Sequence, residues 1–126
     1  MTRRRIFVFG SNLQGIHGAG AAKFARDHYG AHPGVGEGLT GEAYALPTKH
    51  TPSKGMSLTE IHGSLHRFAK FAKSHPETDF LLTAVGCGLA GFTPDFLQRI
   101  MPHFTDNVYI QARLAQGDPP PDIPYG

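Results

Sequence analysis

The chain is poor in cysteine, has no tryptophan and contains no long apolar run. Cys87 is its only cysteine, so no disulfide can form within the chain and a reducing compartment is expected. Three arginines near the start are followed by only four apolar residues, which is too short for the core of a signal peptide. No segment offers the roughly 20 apolar residues of a membrane-spanning helix. We therefore expect a cytoplasmic protein without a membrane partner.

Charge is also scarce. Charged residues make up 17% of the 126 residues and the net charge is +2. This small excess does not by itself indicate nucleic acid, although the arginines at positions 3–5 leave that alternative open. Hydrophobic residues make up 40%, which suits one globular domain. We assign residues 1–110 to that domain and residues 111–126, which include four prolines, to a C-terminal tail.

Glycine, in contrast, is abundant, with 16 in the chain. The segment LLTAVGCGLAGF (residues 81–92) joins an apolar run to three glycines at positions 86, 88 and 91. Thr93-Pro94-Asp95 then has the composition of a helix start. A strand, a glycine loop and a helix in this order allow backbone N–H groups to approach an anion. Three glycines here suggest a phosphate or ribose close to the backbone.

The same pattern occurs near the start of the chain. Residues 6–9 (IFVF) predict a central strand, and glycines recur at positions 10, 15, 18 and 20. Residues 21–29 predict a helix, with Gly30 as its C-terminal cap. Residues 30–41 predict a loop. Within it, positions 36–41 match GxGxxG, but no strand precedes the match and no helix follows it, so a dinucleotide fingerprint is not indicated.

The rest of the chain continues the alternation. Residues 43–46 predict a second strand that ends at residues 47–50 (PTKH). Ser57 and Glu60 form a capping box, and residues 58–73 have helical apolar spacing. Residues 80–85 predict a third strand. Apolar residues between Phe96 and Phe104 predict a further helix, and residues 108–110 predict a last strand.

This alternation predicts an α/β fold with three layers, in which a small, mostly parallel sheet lies between helices. Ligands gather at the carboxyl ends of the strands in such sheets. Residues 10–20, 47–50 and 86–92 all follow strand ends. The sequence therefore predicts a pocket with two glycine-rich walls and one lysine, Lys49.

These three segments resemble the macrodomain family, whose members bind ADP-ribose. The motifs are GSNLQGIHGAGAAKFA (residues 10–25), AYALPTKH (residues 43–50) and VGCGLAGF (residues 85–92). The last two are similar to the branch that contains the terminal ADP-ribose protein glycohydrolase and the antitoxin macrodomains that remove ADP-ribose from DNA. The resemblance implies a macrodomain-like fold and ADP-ribose, or ADP-ribosylated protein or nucleic acid, as the partner. It implies no cofactor.

The resemblance also implies residue roles. Asn12 would contact the distal ribose, and Lys49 would attack its anomeric carbon. Ala90 stands where the glycohydrolase has an aspartate that assists the lysine. The remaining expected ligand contacts are Gly18, Ala19, Gly20, Gly86, Cys87, Gly88, Leu89, Ala90 and Phe92.

Each candidate has a simpler structural alternative. Asn12 is also a residue type that forms turns after strands. Lys49 could be an exposed loop lysine, and a nucleophilic amine needs a pKa lowered by burial or by a neighbouring cation. Cys87 could be a small apolar residue in a tight loop. Candidates for an acid or base are His17, His50 and Asp95. No HExxH motif or cysteine–histidine pair is present, and we predict no metal site.

Overall fold

The central strand of the protein is β1 (Arg4–Asn12), and the computed structural model describes residues 3–18, 20–83 and 104–111. The strand is longer than the predicted residues 6–9 because it has a parallel neighbour on each side. Ile6, Phe7, Val8 and Phe9 are at most 1% exposed. A strand buried on both faces explains why this run is wholly apolar rather than alternating.

The described elements form a six-stranded sheet and two helices. Besides β1 they are α1 (Gly20–Tyr29), β2 (Gly38–Thr40), β3 (Ala43–Thr51), β4 (Lys54–Gly55), α2 (Leu58–Lys73), β5 (Thr78–Thr83) and β6 (Val108–Gln111). The order across the sheet is β2-β3-β1-β5-β6, and β4 pairs with β3. β3, β1, β5 and β6 are mutually parallel, whereas β2 and β4 are antiparallel to β3. The predicted α/β class with a mostly parallel sheet is therefore confirmed for the described residues.

The two helices cover opposite faces of the sheet. Ile6 and Val8 of β1 belong to an apolar cluster with α2, and Phe7 and Phe9 belong to another with Ala25 of α1. Successive side chains of a strand point to opposite faces, so the clusters lie on either side of β1. Neither helix of the described residues combines the length and hydrophobicity needed to cross a bilayer.

Helix α2 begins and ends where the sequence predicts. Ser57 Oγ accepts from the Glu60 N–H at 3.2 Å, and Glu60 Oε1 accepts from the Ser57 N–H at 3.0 Å, which completes the predicted capping box. Ile61, Leu65, Phe68 and Ala72 are all buried, as their spacing predicts.

The far end of α2 is closed by a buried residue that the sequence does not reveal. Asn107 is 7% exposed, and its Nδ2 lies within 3.0 Å of the carbonyl oxygens of Ala72, His75 and Thr78. It therefore ties the end of α2 to the start of β5.

Helix α1 also ends as predicted. Gly30 has φ 71°, and the Ala31 N–H donates to the Ala25 carbonyl at 3.2 Å. A left-handed residue followed by such a bond is the usual glycine-terminated helix end.

Four predictions need correction. β3 does not end at residues 47–50 but continues to Thr51, because β1 and then β4 provide hydrogen-bond partners. The predicted loop at residues 30–41 contains β2, which pairs with β3. The third strand begins at Thr78 rather than at residue 80. Phe104 is not helical and packs against the α2 cluster. The other residues predicted for the helix that includes Phe104 lie outside the described residues.

Candidate functional site

Asn12 and Lys49 are neighbours at the carboxyl edge of the sheet. They are register partners at the ends of β1 and β3, and the Leu13 N–H donates to the Lys49 carbonyl at 3.0 Å. The first and second segments that composition singled out therefore meet in the fold.

The chain leaves these two strands toward opposite faces of the sheet. After Asn12 it leads to α1, which packs on the face of Phe7 and Phe9. After Lys49 it leads through β4 to α2, which packs on the other face. In parallel sheets a crevice opens where neighbouring strands diverge in this way, and ligands bind there. Asn12 and Lys49 flank that position.

An irregularity in β3 sets the position of Lys49. Ser11 pairs with Pro47, but Asn12 pairs with Lys49, so Thr48 is an additional residue opposite β1. Extra residues of this kind re-aim the side chains that follow. Pro47 and Thr48 are buried whereas Lys49 is exposed. Within the described residues, Lys49 Nζ makes no hydrogen bond or ion pair.

Asn12 has the turn-forming role that was its alternative. Its side chain is 6% exposed, Nδ2 donates to the Ile16 carbonyl at 3.0 Å, and Oδ1 accepts from the Ile16 N–H at 3.2 Å. The Gly15 N–H also donates to the Asn12 carbonyl at 2.9 Å. Each amide atom retains capacity for one more hydrogen bond, so contact with a ribose stays a prediction.

The glycines of the first loop fall into two groups. A Cβ built on Gly15, which has φ 69°, would lie 2.3 Å from the Gly34 carbonyl carbon. A Cβ on Gly36 would lie 2.6 Å from the Leu13 oxygen. These two positions need glycine because residues 12–17 pack against residues 32–37 through their backbones.

The second group is different. At Gly18 and Gly20 an added Cβ would meet nothing within 4 Å. Gly20 has φ 60° and is the first residue of α1, and the first turn of α1 has no acidic side chain. No atom of the described residues fills the space beside these two predicted ligand contacts, and the first N–H groups of a helix lack partners within the helix.

His17 joins the two packed loops. It is 3% exposed, its Nε2 lies 3.2 Å from the Val35 carbonyl oxygen, and its ring meets Phe9 edge-on at 5.2 Å. Burial lowers the pKa of His17, so the neutral ring donates from Nε2. His17 Nδ1 is buried and has no hydrogen-bond partner among the described residues. This acid–base candidate therefore braces the loops beneath the surface.

His50, the other histidine candidate, is paired with a glutamate of α2. Its Nε2 lies 2.7 Å from Glu60 Oε2, so the same carboxylate closes the capping box and holds the end of β3. The pKa of Glu60 is lowered mainly by the hydrogen bond from the Ser57 N–H and, to a smaller extent, by the hydrogen bond with His50. The capping box was readable from sequence, but this partner was not.

The third predicted segment lies outside the described residues, as do Ala19 and Asp95. β5 runs parallel to β1, and Leu82 pairs with Val8. The carboxyl end of β5 therefore lies toward the edge of the sheet that carries Asn12. The predicted contacts that fall outside the described residues are Ala19, Gly86, Cys87, Gly88, Leu89, Ala90 and Phe92.

Two of the three N-terminal arginines are engaged in ion pairs. Arg3 Nε lies 2.8 Å from Asp79 Oδ1, and Arg4 Nε lies 2.9 Å from Glu42 Oε2. Both lie at the amino end of the parallel strands, opposite Asn12. Two of the three arginines that left nucleic acid open as a partner are thus paired with carboxylates of the protein itself.

Among residues 3–18, 20–83 and 104–111, no group of three or more His, Cys, Asp or Glu side chains could hold a metal ion. The sequence does contain two HxxxH spacings, His28 to His32 and His62 to His66, which the prediction of no metal site left out of account.

Comparison with known proteins identifies no relative of this chain. No protein-family model matches the chain, and searches of curated proteins and of solved structures found no match.

Proposed function

We propose that this protein is a macrodomain-like ADP-ribose-binding protein whose ligand lies at the carboxyl edge of β1 and β3. The observation that carries the proposal is the adjacency of Asn12 and Lys49 where the chain diverges to opposite faces. The helices on both faces and the mostly parallel sheet support the three-layer arrangement that the resemblance implies.

The start of α1 suits the diphosphate of ADP-ribose. Within the part of the chain that the structure describes, no atom lies within 4 Å of a side chain built on Gly18 or Gly20, and no acidic side chain occupies the first turn. Unpaired N–H groups and the helix dipole attract anions at such a position. The diphosphate would therefore lie near Gly20, and the distal ribose would extend toward Asn12 and Lys49.

In the catalytic form of the proposal, ADP-ribose is removed from protein or nucleic acid. Lys49 Nζ, as the free amine, forms a bond to the anomeric carbon of the distal ribose. The bond to the acceptor breaks, and the acceptor leaves with the electron pair and takes up the proton that the lysine nitrogen loses. Water then adds through its oxygen to the anomeric carbon, the carbon–nitrogen bond breaks, and the lysine nitrogen takes the proton from water as ADP-ribose is released.

The exposure of Lys49 favours a second candidate, a module that binds ADP-ribose without cleaving it. Within the described residues Nζ makes no hydrogen bond or ion pair, and the side chain is exposed. The described residues thus neither bury the amine nor hydrogen-bond it. In this form Lys49 contributes charge to binding, and no bond is broken.

Calorimetric titration of the full chain with ADP-ribose tests the proposal, with AMP and ribose 5-phosphate as controls. Micromolar binding of ADP-ribose, with at least tenfold weaker binding of each fragment, is expected because the site spans both parts of the ligand. Absence of ADP-ribose binding would overturn the proposal in both forms.

Lys49→Ala then separates enzyme from binding module, and Lys54→Ala is its matched control. Lys54 is also exposed and lies on the strand paired with β3. The catalytic form predicts that ADP-ribosylated protein or DNA is cleaved by the parent and by Lys54→Ala but not by Lys49→Ala. The module form predicts no cleavage by any of them and ADP-ribose binding weakened only severalfold by Lys49→Ala. Cleavage retained by Lys49→Ala would contradict the proposed nucleophile.

A further inference from the structure

Two histidines lie side by side on the exposed surface of α2. His62 and His66 are one helical turn apart and both are exposed. Their ring centroids are 4.2 Å apart, with 59° between the ring planes, and their Nε2 atoms are separated by 3.1 Å. Side chains at this spacing share one face of a helix, so both rings present the same ring nitrogen to one point.

We propose that His62 and His66 form a two-nitrogen chelate for a divalent transition-metal ion of the Cu²⁺, Ni²⁺ and Zn²⁺ class. Metal–imidazole bonds are about 2.0–2.1 Å long. Two such bonds that span 3.1 Å meet at an angle of about 100°. This angle lies between the square and tetrahedral values, so both nitrogens reach one ion with little rearrangement.

The helix holds the two histidines firmly. Ile61 and Leu65, the residues that precede each histidine, are buried in the core. The capping box fixes the first turn of α2, and Asn107 closes its last turn. Because the backbone is ordered before a metal arrives, binding costs only the remaining freedom of two side chains.

Among the described residues, the surroundings of the site supply two protein ligands and no third one. Arg67, beside His66, is engaged by Glu37, with Nε 2.6 Å from Oε2. No group of three or more metal-binding side chains occurs in the described part of the chain. Water would complete the coordination. Nitrogen ligands favour Cu²⁺ over Ni²⁺ and Zn²⁺, whereas Mg²⁺ and Ca²⁺ prefer oxygen.

Titration of the untagged full chain with CuCl₂ and NiCl₂ tests the proposal. One ion per chain is expected, with Cu²⁺ bound more tightly and MgCl₂ giving no heat. His62→Gln and His66→Gln should each weaken binding of the first ion at least tenfold. His28→Gln and His32→Gln are matched controls, because both histidines are exposed elsewhere, and each should change affinity less than twofold.

Electron paramagnetic resonance of the Cu²⁺ complex gives a second readout. Hyperfine splitting from two imidazole nitrogens is expected in the parent and from one in His66→Gln. Equal Cu²⁺ affinity in the parent, His62→Gln and His66→Gln would overturn the proposal and leave the 3.1 Å contact as a hydrogen bond between rings. The site does not depend on ADP-ribose, so Lys49→Ala should bind Cu²⁺ as the parent does.

Discussion

Gly15 and Gly18 lie three residues apart in one loop, and their surroundings differ completely. Gly15 has a left-handed backbone, and a side chain there would run into the backbone at Gly34. Gly18 has no described atom within 4 Å of the position that a side chain would take. The same residue type thus serves close packing of two loops at one position and leaves open space beside the proposed site at the other. A count of glycines cannot separate these roles.

The strongest way to test this contrast is Gly15→Ala against Gly18→Ala. Gly15→Ala should lower the free energy of unfolding by more than about 3 kcal/mol, because left-handed strain adds to a backbone clash. Gly18→Ala should change it by less than about 0.5 kcal/mol. Guanidinium unfolding monitored by circular dichroism measures both. Equal losses would show that the two glycines do not differ as described.

A smaller effect is expected where a side chain rather than a glycine joins the packed loops. Ser11 is 4% exposed, and its Oγ donates to the Gly36 carbonyl at 2.5 Å. Ser11→Ala should cost about 1–2 kcal/mol of unfolding free energy, because a buried carbonyl loses its donor. Ser53→Ala, at an exposed serine, is the control and should be near neutral. Urea midpoints provide the comparison, and a neutral Ser11→Ala would argue against tight coupling of the two loops.

A substitution at Gly18 should change the affinity for ADP-ribose rather than the free energy of unfolding. Gly18→Ala adds a methyl group to the space proposed for the diphosphate, so ADP-ribose affinity should fall about tenfold, or about 1.4 kcal/mol. Gly55→Ala is a suitable control, since a Cβ built on Gly55 also meets no described atom within 4 Å, and Gly55 lies on β4. Calorimetry measures the ADP-ribose affinity of both variants. An unchanged affinity in Gly18→Ala would show that the diphosphate does not lie beside this loop.

The smallest effect is expected from acid acting on the packed loops. Burial lowers the pKa of His17 from its ordinary value near 6.5. Well above its unfolded pKa of about 6.5 the histidine is neutral in both states, and its contribution to stability is constant. As the pH falls below that value, the unfolded chain takes up the proton first, so the unfolding free energy decreases.

His17→Gln isolates this contribution and retains a side-chain donor for the Val35 carbonyl. The difference in unfolding free energy between parent and variant should shrink as the pH falls from 7.5 to 5. His32→Gln, at an exposed position, should remain parallel to the parent. Denaturant titrations at several pH values measure these differences. A difference in unfolding free energy between parent and His17→Gln that stays constant with pH would show that His17 does not contribute to the acid sensitivity.

Local signals predicted the helices well. The capping box and the spacing of Ile61, Leu65 and Phe68 predicted both ends of α2, and Gly30 predicted the end of α1. These signals work because caps and helical periodicity depend on residues within a few positions of one another. The strand at residues 6–9 was readable for a similar reason, because a run buried on both faces must be apolar throughout.

The site was only partly predictable. Alternation of strands and helices placed residues 10–20 and 47–50 at one edge of the sheet, but composition gave no hint of the additional residue in β3 that pairs Asn12 with Lys49. The sequence pattern also predicted an end of β3 that is too early, because Pro47 is a residue that usually interrupts a strand. The outer edge of β3 changes partner around Pro47, from β2 at Ala45 to β4 at Lys49, so a missing N–H is tolerated there.

The sequence by itself thus determined the alternation of β1, α1, β3, α2 and β5, the caps of α2 and the apolar faces that the sheet buries, because each depends on neighbours in the chain. Only the tertiary structure decided which glycines are packed, where His17 is buried and that Asn12 and Lys49 are adjacent. Those outcomes depend on contacts between segments some 20 to 40 residues apart, and their geometry is set by strand register and loop packing rather than by residue type.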